Sequence, residues 1–513
     1  MNLSRAIATV GGYTMVSRIL GFARDILVAA VLGAGLVADA FFVAFKLPNF
    51  FRRLFAEGAF NAAFVPTFSE ANASIGAAAA ARLAGEVLSV LVVFLFFLVT
   101  LAQIFMPLAM YGLAPGFADE PVKFDLAVEL TQITFPYLLF ISLVSLQGGI
   151  LNSLGRFAAA AAAPILLNLC LIGALLLAHR GFPTPGHALA WGVALAGVVQ
   201  FLWLAFELKR AGFVLRFPRP RWTPGVRNVL RLMAPGALGA GVVQINLFID
   251  VIIASLLPEG SISFLYFADR INQLPVGVIG VAVGTALLPI LSRHLAANDA
   301  GAASAAQNRS IEAALLLTLP AAAGLMVLAH PIVAVLYQRG AFDAVAAAAT
   351  AEALIAFSFG LPAYVLIKVL TPAYFARKDT RTPVRIAIAA VLVNVALNLA
   401  LMGPLLHVGL ALATAVAAWL NAGLLAVGLR RRGYWVADPR LTARLPRTLA
   451  ATAIMTLGLF AARSLWADGG ASGIVTLATM IAAGGLVFAV SANLLGAATL
   501  GEFRSLLARR RSP

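Results

Sequence analysis

Runs of about twenty apolar residues recur along this chain, and that recurrence constrains its fold more than any motif does. Val87 to Tyr111 and Ile386 to Leu406 are two of them, each long enough as a helix to cross the roughly 30 Å hydrocarbon core of a bilayer. A soluble fold cannot hide so much apolar surface. The 513 residues are 62% hydrophobic and 11% charged, whereas soluble domains are about a quarter charged. The fold class is therefore an all-α polytopic membrane protein.

Apolar runs set off by charged or Pro/Gly-rich breaks predict spans near 7–33, 36–66, 83–111, 125–152, 158–179, 187–208, 226–257, 262–292, 309–337, 345–374, 384–406, 408–432, 444–466 and 471–497, about fourteen helices. Lys and Arg in short loops stay cytoplasmic during insertion. With the N-terminus inside, one set of loops holds Arg82, Arg156, the Lys209 to Arg231 cluster, Arg293, Arg309, the Arg377 to Arg385 cluster and Arg430 to Arg447. The other set holds only Lys123, Arg180, Arg339 and Arg463 as bases. Arg504 and Arg509 to Arg511 follow the last span, so both termini are expected to be cytoplasmic. This topology accounts for the net charge of +16. Nucleic acid is excluded as a partner, since no soluble module carries a basic face. Cys170 is the single cysteine, leaving no disulfide framework. The first residues lack the pattern of a removable signal peptide.

Sliding the chain along itself by 226 residues matches Glu86 with Glu312, Tyr111 with Tyr337, Pro136 with Pro362 and Asn168 with Asn394. An offset of 223 matches Asn49 with Asn272 and Pro66 with Pro289. Two six-helix parallel repeats are expected, 1–210 and 226–432, with an extra helix pair at 444–497. Parallel repeats are a transporter architecture, with substrate between the lobes near the midplane.

Ionisable residues inside the spans sharpen that reading. Arg18, Arg24, Lys46, Arg52, Arg53, Arg270 and Lys368 lie there, with Asp25, Asp39, Glu57, Asp250 and Asp269. A basic group at the centre of a membrane helix costs roughly 2.5–3.5 kcal/mol on an insertion scale. Asp39, Lys46 and Arg53 recur every seven residues, with Asn49 and Glu57 near the same stripe, and Ser17 shares a face with Arg24. Arg53 with Glu57 and Arg18 with Asp25 also read as self-neutralising pairs that fasten helices. Arg24, Arg52 and Arg270 have no equally clear partner at helical spacing, and convergent guanidinium groups suit a phosphate or pyrophosphate. Pro48, Pro136, Pro275 and Pro362 are expected to kink their spans.

Asp250, Asn394, Asn398 and Thr414 form an all-oxygen set with the chemistry of a sodium site. A proton site at Asp250, or a structural hydrogen-bond network, explains the same residues. The five histidines are scattered at span ends, without the clustering of a metal site.

Two stretches carry a resemblance. Ser17-Arg18-Ile19-Leu20-Gly21-Phe22-Ala23-Arg24-Asp25 is followed by an unbroken match from Ala38 through Asp39, Lys46, Pro48, Asn49, Arg52, Arg53 and Glu57 to Phe60, with further matches at Gln338 to Phe342 and Ala376 to Pro383. Together they resemble the MurJ (MviN) lipid II flippase family of the MOP exporter superfamily. The resemblance implies fourteen helices, two lobes around a cationic cavity, and alternating access in the bacterial inner membrane that moves lipid II to the periplasmic leaflet for cell-wall synthesis. It places substrate on Arg18, Arg24, Arg52 and Arg270, with Asp39, Asn49, Arg53 and Glu57 nearby, and makes the extra helix pair a groove for the lipid tail. Ser17 and Asp25 join the candidate substrate-binding residues by the faces they share with Arg24 and Arg18. Expected partners are lipid II, membrane lipids and cell-wall synthesis proteins. No cofactor is implied beyond a coupling cation, sodium or proton, and no Walker-type loop for ATP occurs in the sequence. The competing readings are another MOP exporter, for O-antigen or drugs, and a polyprenyl-phosphate glycosyltransferase. The latter needs paired carboxylates at the membrane surface, and Asp119 and Glu120 have no catalytic partner.

Overall fold

A computed structural model describes residues 3–52, 60–463, 471–499 and 501–502. By internal contacts the chain divides into two compact units, Met1–Ser263 and Phe264–Pro513. The first holds α1 (Leu3–Leu32), α2 (Leu36–Phe51), α3 (Phe60–Ser74), α4 (Ala77–Ile104), α5 (Met106–Leu113), α6 (Pro121–Thr134), α7 (Tyr137–Ser153), α8 (Phe157–Leu176), α9 (Pro185–Arg210) and α10 (Pro224–Ser255). The boundary falls within α11 (Ser261–Pro275). The second unit continues with α12 (Val281–Ala296), α13 (Ala300–Val327), α14 (Ala329–Tyr337), α15 (Ala344–Phe375), α16 (Arg381–Arg431), α17 (Pro439–Ala462) and α18 (Ala471–Leu494).

Each of the fourteen predicted stretches is helical over nearly all its described residues. Nine helical segments among the described residues are long and apolar enough to cross a membrane. Their outward faces are apolar: Phe97 is 67% exposed and Leu457 is 71% exposed. Such faces are at home in lipid and nowhere else, and the chain is a multi-pass membrane protein.

Helix starts follow local chemistry. Asp299, Asp343 and Asp438 each accept a hydrogen bond from a backbone N–H in the first turn of α13, α15 and α17. Proline opens α6, α9, α10 and α17, where its missing N–H is no loss. The four prolines expected to kink their spans behave differently. Pro136 separates α6 from α7, and Pro275 ends α11 before a π-helical turn at Val276–Gly280. Pro48 and Pro362 stay buried inside continuous helical runs, as membrane helices allow when neighbours satisfy the freed carbonyl groups.

In the first unit α1 packs on α8, α8 on α9, α2 on α6, and α10 on α3. Glycine sets the closest approach of α9: a Cβ at Gly192 would lie 2.7 Å from the Ala174 methyl group, and one at Gly197 would lie 2.9 Å from the Tyr137 ring. In the second unit α15 packs on α13 and α16, and α17 on α13 and α18. α16 is a helical hairpin. Leu406 breaks it with φ 49° and ψ −131°, and Asn394 Nδ2 lies 3.4 Å from Thr414 Oγ1, groups that an unbroken helix would hold about 30 Å apart. The reversal falls where the sequence separates the eleventh span from the twelfth.

Candidate functional site

In the first unit Arg24 is held by three hydrogen bonds to two residues. Its guanidinium donates to Asp25 Oδ1 from Nε at 3.1 Å and from Nη2 at 2.6 Å, and to Asn168 Oδ1 on α8 from Nη1 at 3.0 Å. The same Asn168 amide donates to the Ser17 carbonyl at 3.0 Å and faces the Ser17 hydroxyl at 3.5 Å. Gly21 packs against the same amide, and a Cβ there would meet it at 3.6 Å, an ordinary contact distance. Ser17, Arg24 and Asp25 are thus one cluster, and Asn168 joins it as a member not predicted as a site residue. Its signal was the repeat identity with Asn394. Arg18 lies on the exposed face of α1.

Asp39 enters a different arrangement. Its side chain and that of Lys123 are 1% and 2% exposed, with Nζ 3.2 Å from Oδ2. Gly260 N–H donates to Oδ2 at 2.8 Å, and Ser263 donates to Oδ1 from its N–H at 3.0 Å and its hydroxyl at 2.6 Å. The Lys123 ammonium also stands 4.5 Å from the centre of the Phe117 ring. Lys123, expected in a loop, is buried in the first turn of α6 because a carboxylate and an aromatic face receive it. Asp39 therefore ties α2, α6 and the start of α11 together.

Near the end of α2, Arg52 Nε donates to Asn49 Oδ1 at 3.2 Å, and the Asn49 amide donates to the Phe45 carbonyl at 2.9 Å. Arg53 and Glu57 lie outside the described residues. In the second unit the Arg270 guanidinium stands 4.7 Å from the Tyr266 ring centre. Its helix is anchored one turn earlier by Phe267, whose ring lies 4.9 Å from Tyr337 and 5.2 Å from Phe342. The Gln338 to Phe342 motif therefore seats the helix that carries Arg270.

The proposed cation set divides between the units. Asn246 donates to Asp250 Oδ2 at 3.4 Å in the first. In the second, Asn398 donates to Asn394 Oδ1 at 3.2 Å, and both asparagines are buried. The Ala376 to Pro383 motif forms the turn into α16. There Thr382 N–H donates to Asp379 Oδ1 at 3.0 Å, and Arg432 pairs with Asp379 Oδ2. The Thr382 N–H, with help from Arg432, holds the Asp379 carboxyl below its ordinary range despite slight desolvation.

Apolar-faced helices that pair arginine, lysine, aspartate and asparagine inside the fold define a polytopic integral-membrane protein. A profile described as "Lipid II flippase MurJ" matches residues 28–480. A Rhizobium meliloti protein described as "Probable lipid II flippase MurJ" is 45% identical over 519 residues, covering 99% of this chain and 97% of its own length. A Burkholderia cenocepacia "Lipid II flippase MurJ" is 39% identical over 86% of each chain. The solved structure "Lipid II flippase MurJ, inward closed conformation" is similar with a TM-score of 0.80 and 26% identity, over 97% of this chain and 99% of the other. The chain belongs to the lipid II flippase MurJ family. An inward-facing MATE multidrug transporter of the MOP superfamily shares the fold at a TM-score of 0.68 and 16% identity, covering 83% of this chain and 98% of its own.

Proposed function

We propose that this chain translocates lipid II from the cytoplasmic to the periplasmic leaflet of the bacterial inner membrane, with both termini in the cytoplasm. Family membership makes it a transporter and not an enzyme. The observation that carries the mechanism is the fixed guanidinium of Arg24, oriented by Asp25 and Asn168. An arginine whose rotamer is already set gives less entropy away when it meets a pyrophosphate, and its planar fork matches the oxygens. Arg18, Arg52 and Arg270 are proposed to complete the anion site, with Arg53, Glu57 and Asn49 beside it. Asp39 acts in this reading by holding three helices in register. Asp250, Asn394, Asn398 and Thr414 are proposed to bind the coupling cation, sodium or proton.

The test is leaflet-resolved lipid II transport in cells depleted of their own flippase and supplied with this chain at equal membrane expression. Wild type is expected to restore outer-leaflet lipid II, and Arg24→Ala and Arg52→Ala are expected to fail. Failure of wild type would redirect the substrate assignment. Full activity in both variants would remove the anion site.

A further inference from the structure

A cavity of about 540 Å³ lies within the first unit between α4 and α10. Val90, Phe94 and Phe97 of α4 and Val229 and Met233 of α10 wall it with hydrocarbon. Ser142 also reaches it, but its hydroxyl is spent on the Leu138 carbonyl at 2.8 Å. Among the described residues that line it one is charged, Arg221, exposed at the rim beside Trp222, which is 70% exposed. The segment bearing both is seated by two glycines. A Cβ at Gly85 would come within 2.6 Å of the Arg216 carbonyl oxygen, and one at Gly225 within 2.6 Å of Leu83 Cδ1.

The lining from Val87 to Phe97 runs about 15 Å along α4, the hydrocarbon depth of a single leaflet. From Lys209 to Arg231 the chain holds seven bases and no acid, all of the bases exposed. We propose that this cavity binds one acyl chain of an anionic glycerophospholipid, with the headgroup phosphate on Arg221. Depth and lining select the chain, and the excess of bases at the rim, which persists although Arg210 pairs with Glu207 at 3.2 Å and Glu86 accepts a hydrogen bond from Thr223 at 2.8 Å, selects an anionic over a zwitterionic head. Trp222 sits where indoles favour the boundary between hydrocarbon and headgroups.

The experiment uses the full-length protein in liposomes and reads the fluorescence of Trp222, taken as wild type minus Trp222→Phe. Phosphatidylglycerol or phosphatidylcholine brominated on one acyl chain serves as quencher. Phosphatidylglycerol is expected to quench at about fivefold lower mole fraction, the weight of one base near an anionic surface. Arg221→Gln is expected to remove that preference, and Val90→Phe, which narrows the cavity, to weaken the quenching by both lipids. Equal quenching by the two lipids in wild type overturns the proposal. So does a phosphatidylglycerol preference that survives both substitutions, which would be diffuse attraction to the loop. Loss of a co-purified polyprenyl lipid, rather than a glycerophospholipid, from Val90→Phe would also overturn it.

Discussion

Replacing Lys123 by methionine removes the cation that faces Asp39 while keeping most of the side-chain volume. The ammonium is 3.2 Å from the carboxylate, with both side chains at most 2% exposed. Removing one partner of a buried pair costs about 3–5 kcal/mol. Asp39 would keep the hydrogen bonds from Gly260 and Ser263, and these soften the loss, so the expected cost is about 3 kcal/mol, roughly a hundredfold in the folded-to-unfolded ratio. Equilibrium unfolding in mixed micelles measures it, comparing wild type, Lys123→Met, Asp39→Asn and the double variant. The double variant should be less damaged than the sum of the single ones by at least about 2 kcal/mol. Strict additivity, or Lys123→Met within about 0.5 kcal/mol of wild type, would refute the reasoning.

Three further outcomes are expected. Gly116→Ala drives a Cβ to within 2.1 Å of the Ser255 carbonyl oxygen and 2.7 Å of Leu256 Cα; backbone cannot yield cheaply, and the unfolding assay should show a loss of about 3 kcal/mol. Asn168→Leu removes the 3.0 Å hydrogen bond to Arg24, a contact to a charged group worth about 1.5–3 kcal/mol, and leaflet-resolved transport should fall about tenfold at unchanged expression; unchanged transport would deny Asn168 a positioning role. Because the Asp379 carboxyl is held low in the folded protein, its stabilisation is present above the unfolded value near about pH 3.9 and is lost as pH falls through the folded value. The stability gap between wild type and Asp379→Asn should therefore be level from pH 7 to about pH 5 and narrow below about pH 4, and a gap that widens on acidification would contradict it.

The fold is legible in the sequence where one physical rule dominates. Hydrocarbon thickness fixes the length of an apolar run, so the helical stretches are legible one by one, including the reversal between Leu406 and Val408 that has almost no loop. Long-range polar partnerships are governed by packing, and there the linear pattern is weaker. Lys123 reads as a loop base because it falls between the apolar runs 83–111 and 125–152, beside Asp119 and Glu120; only the folded chain brings Asp39 and Phe117 to it. Arg24 has no visible partner but its neighbour, because Asn168 lies 144 residues away. The internal repeat had already marked Asn168 as a residue with a counterpart, a sign of constraint that spacing along a single helix cannot supply. Proline shows the same limit: its missing N–H is certain from sequence, but whether a helix breaks, as at Pro136, or runs on, as at Pro362, depends on neighbours.

The abrupt turn at Leu406 bears on how the protein is made. From Ile386 to Leu429 no lysine, arginine, aspartate or glutamate occurs, so neither arm of the hairpin carries a charge of its own to orient it. The flanking clusters, Arg377 to Arg385 before it and Arg430 to Arg432 after it, anchor both feet on one side of the bilayer. The two arms are therefore expected to insert as a pair, joined across the bend by the Asn394 amide of the first and the Thr414 hydroxyl of the second. A basic residue placed beside Leu406 would set the crest of the hairpin against its feet, and the earliest defect would be in biogenesis, before transport could be measured.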